Sequence, residues 1–169
     1  MKLRYTLPAL ILALLSGCSS YRLAAPVQEK YRDLAIPVLK STVTQAEAEA
    51  VLTHSLRREA ISSGEFNIVT KDKASLIMEG VVISYSAKPV RYLRRTSGIP
   101  AEYRVTMSAK INLIEADSEA VVVPEFTCEA ETTAVVRDDL PTAKAAVLSQ
   151  VATRLARTIL LETSIRLDK

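Results

Sequence analysis

Between Tyr103 and Leu113 the chain alternates without a break. Tyr103, Val105, Met107, Ala109, Ile111 and Leu113 are apolar, and Arg104, Thr106, Ser108, Lys110 and Asn112 between them are polar. A period of two over this length predicts a β-strand with one buried face and one wet face. After the turn-like stretch 115–120 the pattern resumes, with Phe126, Cys128, Ala130 and Ala134 set between Glu125, Thr127, Glu129, Glu131 and Thr133. Together the two segments predict a long antiparallel hairpin. Its wet face is basic on the first strand and acidic on the second, so Glu129 and Glu131 are expected as cross-strand partners of Arg104 and Lys110.

Elsewhere the period changes to that of a helix. Ala48, Leu52, Leu56 and Ala60 recur every four residues with Val51 beside them, behind the capping-box pattern Thr44-Gln45-Ala46-Glu47. This helix is expected to reach about Ser62, with Gly64 as its stop. A second stripe, Val147, Val151, Leu155 and Ile159, is widened by Leu148 and Ala152. Asp138 or Asp139 is its expected cap, Pro141 falls in its first turn, and its end is expected near Thr163. Leu76–Tyr85 is apolar on both faces apart from Glu79, as in a central strand. Shorter strands are expected within Asp33–Leu39, where Pro37 points to a sheet edge or strand end, and at Phe66–Val69. The sum is α+β: two helices packed on one face of a mostly antiparallel sheet of four to five strands, in the order β-α-β-β-β-β-α.

The first residues follow a different logic. Lys2 and Arg4 precede an apolar run, Leu7–Leu15, and then Ser16, Gly17 and Cys18. A positive start, a short apolar segment and small residues at a cleavage point make a secretory signal. The run falls short of the roughly 20 apolar residues that a membrane-spanning helix needs. Cys18 directly after Leu-Ser-Gly resembles the bacterial lipobox, in which the cysteine thiol takes a diacylglyceryl group and the freed amine is acylated. The expected organisation is therefore a cleaved signal, 1–17, a lipid anchor and leash, 18–32, and one domain, 33–169. Two or more acyl chains hold a protein stably where one is marginal.

Removing the signal leaves 152 of the 169 residues, enough for one domain with a substantial core. It also takes away two of the 22 basic residues, so 20 face 19 acidic ones and the domain is close to neutral. That balance gives no support to a nucleic-acid partner. Cys128 has no second internal cysteine to pair with, and its place in the apolar alternation reads as core.

The residues offer little chemistry. His54 is the only histidine and sits on the polar flank of the first helix, so it reads as a surface side chain. One histidine and one internal cysteine do not build a usual metal site. Glu129 and Glu131 read as charge partners rather than as a hydrolytic carboxylate pair. With four glycines in the chain no phosphate-cradling loop is expected. No catalytic residue, metal ligand or cofactor is assigned, and an enzyme is not expected.

One segment stands out: Lys88-Pro-Val-Arg91-Tyr-Leu-Arg94-Arg95-Thr-Ser-Gly-Ile-Pro100. It reads as a loop longer than its hairpin requires, with four cations and no acid. Lys88, Arg91, Arg94 and Arg95 beside Tyr92 and Leu93 would suit an amphiphile with phosphates next to acyl chains. A solvated loop whose charges aid solubility is the other reading.

The lipobox, the early Tyr21, the opening DLAIPVLKSTVTQAEAEAVLTHSLRRE, the strand SLIMEGVVISYS, the strand AEYRVTMSAKINLI and the final amphipathic helix together resemble the LptE family of lipopolysaccharide-assembly lipoproteins. The likeness runs from about Tyr21 to Ser164. One departure is Ser19-Ser20, where the family usually shows a glycine or tryptophan after the cysteine. The resemblance implies an outer-membrane lipoprotein on the periplasmic face that plugs the LptD β-barrel, assists its assembly and contacts lipopolysaccharide. Ser19 suits that destination, since an aspartate there would hold an enteric-type lipoprotein at the inner membrane. A tethered accessory lipoprotein of another envelope exporter is the alternative class.

Overall fold

A computed structural model describes residues 27–45, 47–92, 100–135 and 140–168. The signal, Cys18, Tyr21, Arg94, Arg95, Asp138 and Asp139 lie outside the described residues. In chain order the elements are β1 (Asp33–Ala35), β2 (Lys40–Ser41), α1 (Ala48–Ser63), β3 (Asn67–Ile68), β4 (Leu76–Tyr92), β5 (Pro100–Glu115), β6 (Val121–Val135) and α2 (Leu140–Leu167). Short 3₁₀ turns stand at Glu29–Tyr31 and Lys71–Lys73.

The sheet has six strands in the order β3-β1-β4-β5-β6, with β2 beside β4 beyond the end of β1. The long hairpins β4–β5 and β5–β6 are antiparallel. The short strands pair in parallel: β1 with β3 and β4, and β2 with β4. The sheet is thus α+β and mostly antiparallel as expected, but mixed and one strand richer. β1 and β2 are a single strap along one edge of β4, broken at Pro37. Thr53 on α1, buried at 2% exposure, holds the break in place. Its hydroxyl accepts the Leu39 N–H at 3.0 Å and donates to the Glu49 carbonyl at 2.6 Å.

One apolar core fills the space between the helices and one face of the sheet. The stripe Ala48, Leu52, Leu56 and Ala60 is fully buried, and so are Val151, Leu155 and Ile159 of α2. Met107, Ala109, Ile111 and Leu113 of β5 face them at zero exposure, with Phe126 and Cys128 of β6 nearly so and Ala130 half-buried. At about 25 cal/mol per Å² of apolar surface removed from water, each such leucine or isoleucine contributes roughly 1.5–3 kcal/mol. The other face is mostly polar and open to water, with Ile77 at 3% and Ser108 at 5% exposure among its buried positions.

The two helices run side by side in the same direction. Arg58 donates to Thr153 at 2.8 Å, Arg157 pairs with Glu59 at 2.7 Å and Ser164 donates to Glu65 at 2.7 Å.

Four boundaries differ from expectation. Helix α1 starts at Ala48, with Glu47 at φ 64° as its N-cap and no side-chain cap bond, so the Thr44–Glu47 box does not open it. Gly64, at φ 70°, does close it, a backbone conformation that glycine adopts without strain. Helix α2 continues past Thr163 to Leu167. Residues 27–32, assigned to the leash, are already on the domain: Val27 is buried at 8% exposure, and Gln28 donates to the Leu167 carbonyl at 3.5 Å.

The fourth difference matters most. Strand β4 does not stop at Tyr85 but runs to Tyr92, where it pairs with Pro100 at the start of β5. Only residues 93–99 separate the two strands.

Candidate functional site: the cationic strand arm

The far end of the β4–β5 hairpin is an arm of ladder in which β4 is exposed, although Val105 of β5 and Ala134 of β6 beside it are still buried. Alternation on β4 is interrupted at Ile83, where a bulge sets Val82 opposite Ala109 and Ser84 opposite Ser108. Before it, Met78 and Val82 point into the core with Leu113 and Ala109; after it, Tyr85 and Ala87 take that side, opposite Met107 and Val105. The bulge lets the strand keep its core face while its sequence changes parity. From Ala87 to Tyr92 every residue of β4 is exposed.

Lys88 and Arg91 therefore stand on a strand, not in a loop, which corrects the sequence reading. The segment shows no alternation because, among the described residues, Ala87–Tyr92 are exposed on both faces. Lys88 lies directly opposite Arg104, and Arg91 opposite Glu102. Cross-strand pairs share a face, so these side chains stand on the polar side of the sheet. Arg104 turns toward Glu131 at 3.8 Å, and Arg91 meets Glu102 at 3.1 Å. Among the described residues Lys88 has no carboxylate partner. Val135 faces Glu102 from β6, and it is half-exposed together with Val90 and Tyr92. Cations and apolar side chains are thus interleaved along the exposed arm. The sequence did not flag Glu102 and Arg104 as neighbours of the segment; the paired register of β4 and β5 brings them there.

The remaining candidates are placed as follows. The expected Arg104–Glu131 partnership forms, but Lys110 pairs with Glu125 at 2.8 Å rather than Glu129, which stands opposite Ser108. The register brings Glu125 within reach across the diagonal. His54 is exposed on α1. Cys128 is a buried free thiol at 5% exposure. Burial pushes its pKa up, the Glu162 carboxylate adds to the shift and Arg166 opposes it, so the thiol stays protonated. Arg166 also covers the Phe126 ring at 4.5 Å. Among the described residues no group of three His, Cys, Asp or Glu side chains could hold a metal, and no helix is long and apolar enough to cross a membrane.

The described residues define an α+β domain in which two parallel helices back one face of an open, mixed sheet, and a long hairpin carries cations beyond them. Residues 31–163 match the family model LptE, lipopolysaccharide-assembly, and the chain belongs to that family. Solved structures share the fold at low identity. A putative lipoprotein from Caulobacter crescentus is 15% identical, with 78% of this chain and 90% of that chain covered and a TM-score of 0.53. A protein from Xanthomonas campestris is 15% identical over 79% and 84%, with a TM-score of 0.57. A hypothetical protein from Chlamydia trachomatis is 11% identical over 80% and 96%, with a TM-score of 0.56. No curated protein matches the chain by sequence.

Proposed function

We propose that this protein is the lipid-anchored subunit of a lipopolysaccharide translocon. Cys18 carries the acyl anchor at the periplasmic face of the outer membrane, and the domain plugs an LptD-type β-barrel and assists its assembly. Lys88, Arg91, Arg94 and Arg95 contact the phosphates of lipopolysaccharide. The observation that carries this reading is the family match across residues 31–163. It is supported by the exposed arm, where Lys88 and Arg91 stand among Val90, Tyr92 and Val135. Phosphate oxygens suit guanidinium and ammonium donors, and acyl chains suit the apolar side chains between them. A polar sheet face also suits the wet lumen of a large barrel.

Purification of the tagged protein from detergent-solubilised membranes is expected to bring down a very large β-barrel protein. Recovery of an inner-membrane transporter instead would overturn the translocon reading. Cys18→Ala is expected to leave a precursor that no longer partitions into detergent. Exchanging Lys88, Arg91, Arg94 and Arg95 for glutamate is expected to weaken lipopolysaccharide binding strongly with the circular dichroism spectrum intact; unchanged affinity would remove these cations from the lipid path.

A further inference from the structure

A second cationic surface lies near the other end of β4. A cavity of about 420 Å³ opens where the chain leaves the parallel strands β1 and β3 and passes α1. Ile36, Pro37 and Ile68 give it apolar walls, and Arg57, Thr70 and Lys71 add polar groups. Arg57 is held rather than loose: its Nε donates to the Ile36 carbonyl at 2.9 Å, and one Nη donates to the same oxygen. These bonds use two of the five guanidinium N–H donors and fix the plane of the fork, leaving the Nη1 side free. Among the described residues neither Arg57 nor Lys71 has a carboxylate within ion-pair distance.

Two other cavities show that this is not simply how cavities are lined here. One of about 240 Å³ on the polar sheet face sets Lys40 and Lys110 against Glu79 and Glu125. One of about 290 Å³ between the helices sets Arg157 against Glu59 and Glu65. Only the Arg57 cavity, of these three, carries cations with no acid. A half-buried guanidinium without a counter-ion is costly, and an arriving anion relieves that cost.

We infer that this cavity binds the phosphate head of a small amphiphile, with its apolar part against Ile36, Pro37 and Ile68. A phosphate monoester carries a charge of about −1.5 to −2 near neutral pH, which matches two cations where a carboxylate matches one. The fixed fork of Arg57 offers paired donors to two phosphate oxygens. The site is independent of the arm. Ala35, on its wall, pairs with Ile77, and fifteen residues of β4 at about 3.3 Å each put the arm tip roughly 50 Å away.

The test is a nuclear magnetic resonance titration of the full chain with hexyl phosphate, inorganic phosphate and hexyl glucoside. Hexyl phosphate is expected to shift the Val69 and Thr70 amides saturably, and the neutral glucoside is expected to leave them unmoved. Lys71→Glu, at an exposed position with no described partner, is expected to weaken hexyl phosphate at least tenfold without disturbing the fold. Arg57→Lys, which keeps the charge and loses the fork, is expected to weaken it less. A double variant, Lys88→Glu with Arg91→Glu, is expected to leave the titration unchanged, so a failure of the arm as a lipid site does not touch this result. Indifference to Lys71→Glu overturns the proposal. Equal affinity for inorganic phosphate also overturns it, since the apolar walls would then contribute nothing.

Discussion

Leu76–Val82 and Ala87–Tyr92 belong to one strand but sit in different solvents. The first stretch has β5 on one side, β1 and then β2 on the other, and helices over one face. Among the described residues the second has β5 alone, and all its side chains are exposed. The arm is three strands wide as far as Glu102, with β6 following β5 to Val135, but β4 is its bare edge there, and a strand paired on one side only is held by the base it grows from. The base therefore holds the stability, and the arm is free to hold charge. The bare end of β4 and the edge strand β6 also each carry a proline, Pro89 and Pro124, with register shifts beside them. A residue that cannot donate to a ladder blunts an edge against unwanted pairing.

The contrast predicts a graded series. Ile111→Asp buries an unpaired carboxylate at zero exposure against both helices and is expected to cost about 4 kcal/mol or more. Denaturant unfolding would measure it, and a loss below about 1 kcal/mol would mean that the core does not lie under β5. Leu155→Ala, at the fully buried centre of α2, is expected to cost about 2–5 kcal/mol through the cavity it leaves. Gly80→Ala is subtler. A Cβ there would stand 2.5 Å from Ile111 Cδ1 and 2.8 Å from the Lys110 carbonyl, so about 1–3 kcal/mol of overpacking is expected. A Gly80→Ala protein melting at the wild-type temperature would show the β4–β5 contact to be looser than described. Arg91→Ala, on the arm, removes an ion pair with Glu102 whose cation is 66% exposed, and is expected to change stability by at most about 0.5 kcal/mol. A large effect there would erase the distinction between base and arm.

What could be read from the sequence follows the same division. Period-two and period-four patterns report which side chains avoid water, so β5, β6 and the stripes of both helices were legible wherever a core lies beneath them. Ala87–Tyr92 is exposed on both faces among the described residues, and its continuation as strand is set by hydrogen bonds to β5 that leave no trace in hydrophobicity. Thr44–Glu47 has a capping-box composition, but the chain there is turning from β2 into α1 and Glu47 takes a left-handed conformation instead. The parallel pairs are two residues long, too short for any period to show. The Arg57 cavity was hidden for another reason: its parts are more than thirty residues apart from end to end, and only the parallel pairing of β1 with β3 joins them.

The contact between Gln28 and Leu167 has a consequence for the order of assembly. Its partners are 139 residues apart, and the bridges from α1 and the Glu65 just after it to α2 span 95 to 99. The β5–β6 hairpin, by contrast, closes through the short turn at 115–120 and needs no distant partner. Local closures come cheaply and early, whereas distant ones wait for the chain between them to be ordered. A chain emerging from its N-terminus would present Leu52 and Leu56 long before Leu155 and Ile159 arrive to cover them. Throughout that interval the side of the first helix that meets the last one stays open to water, and the final residues of the chain close it.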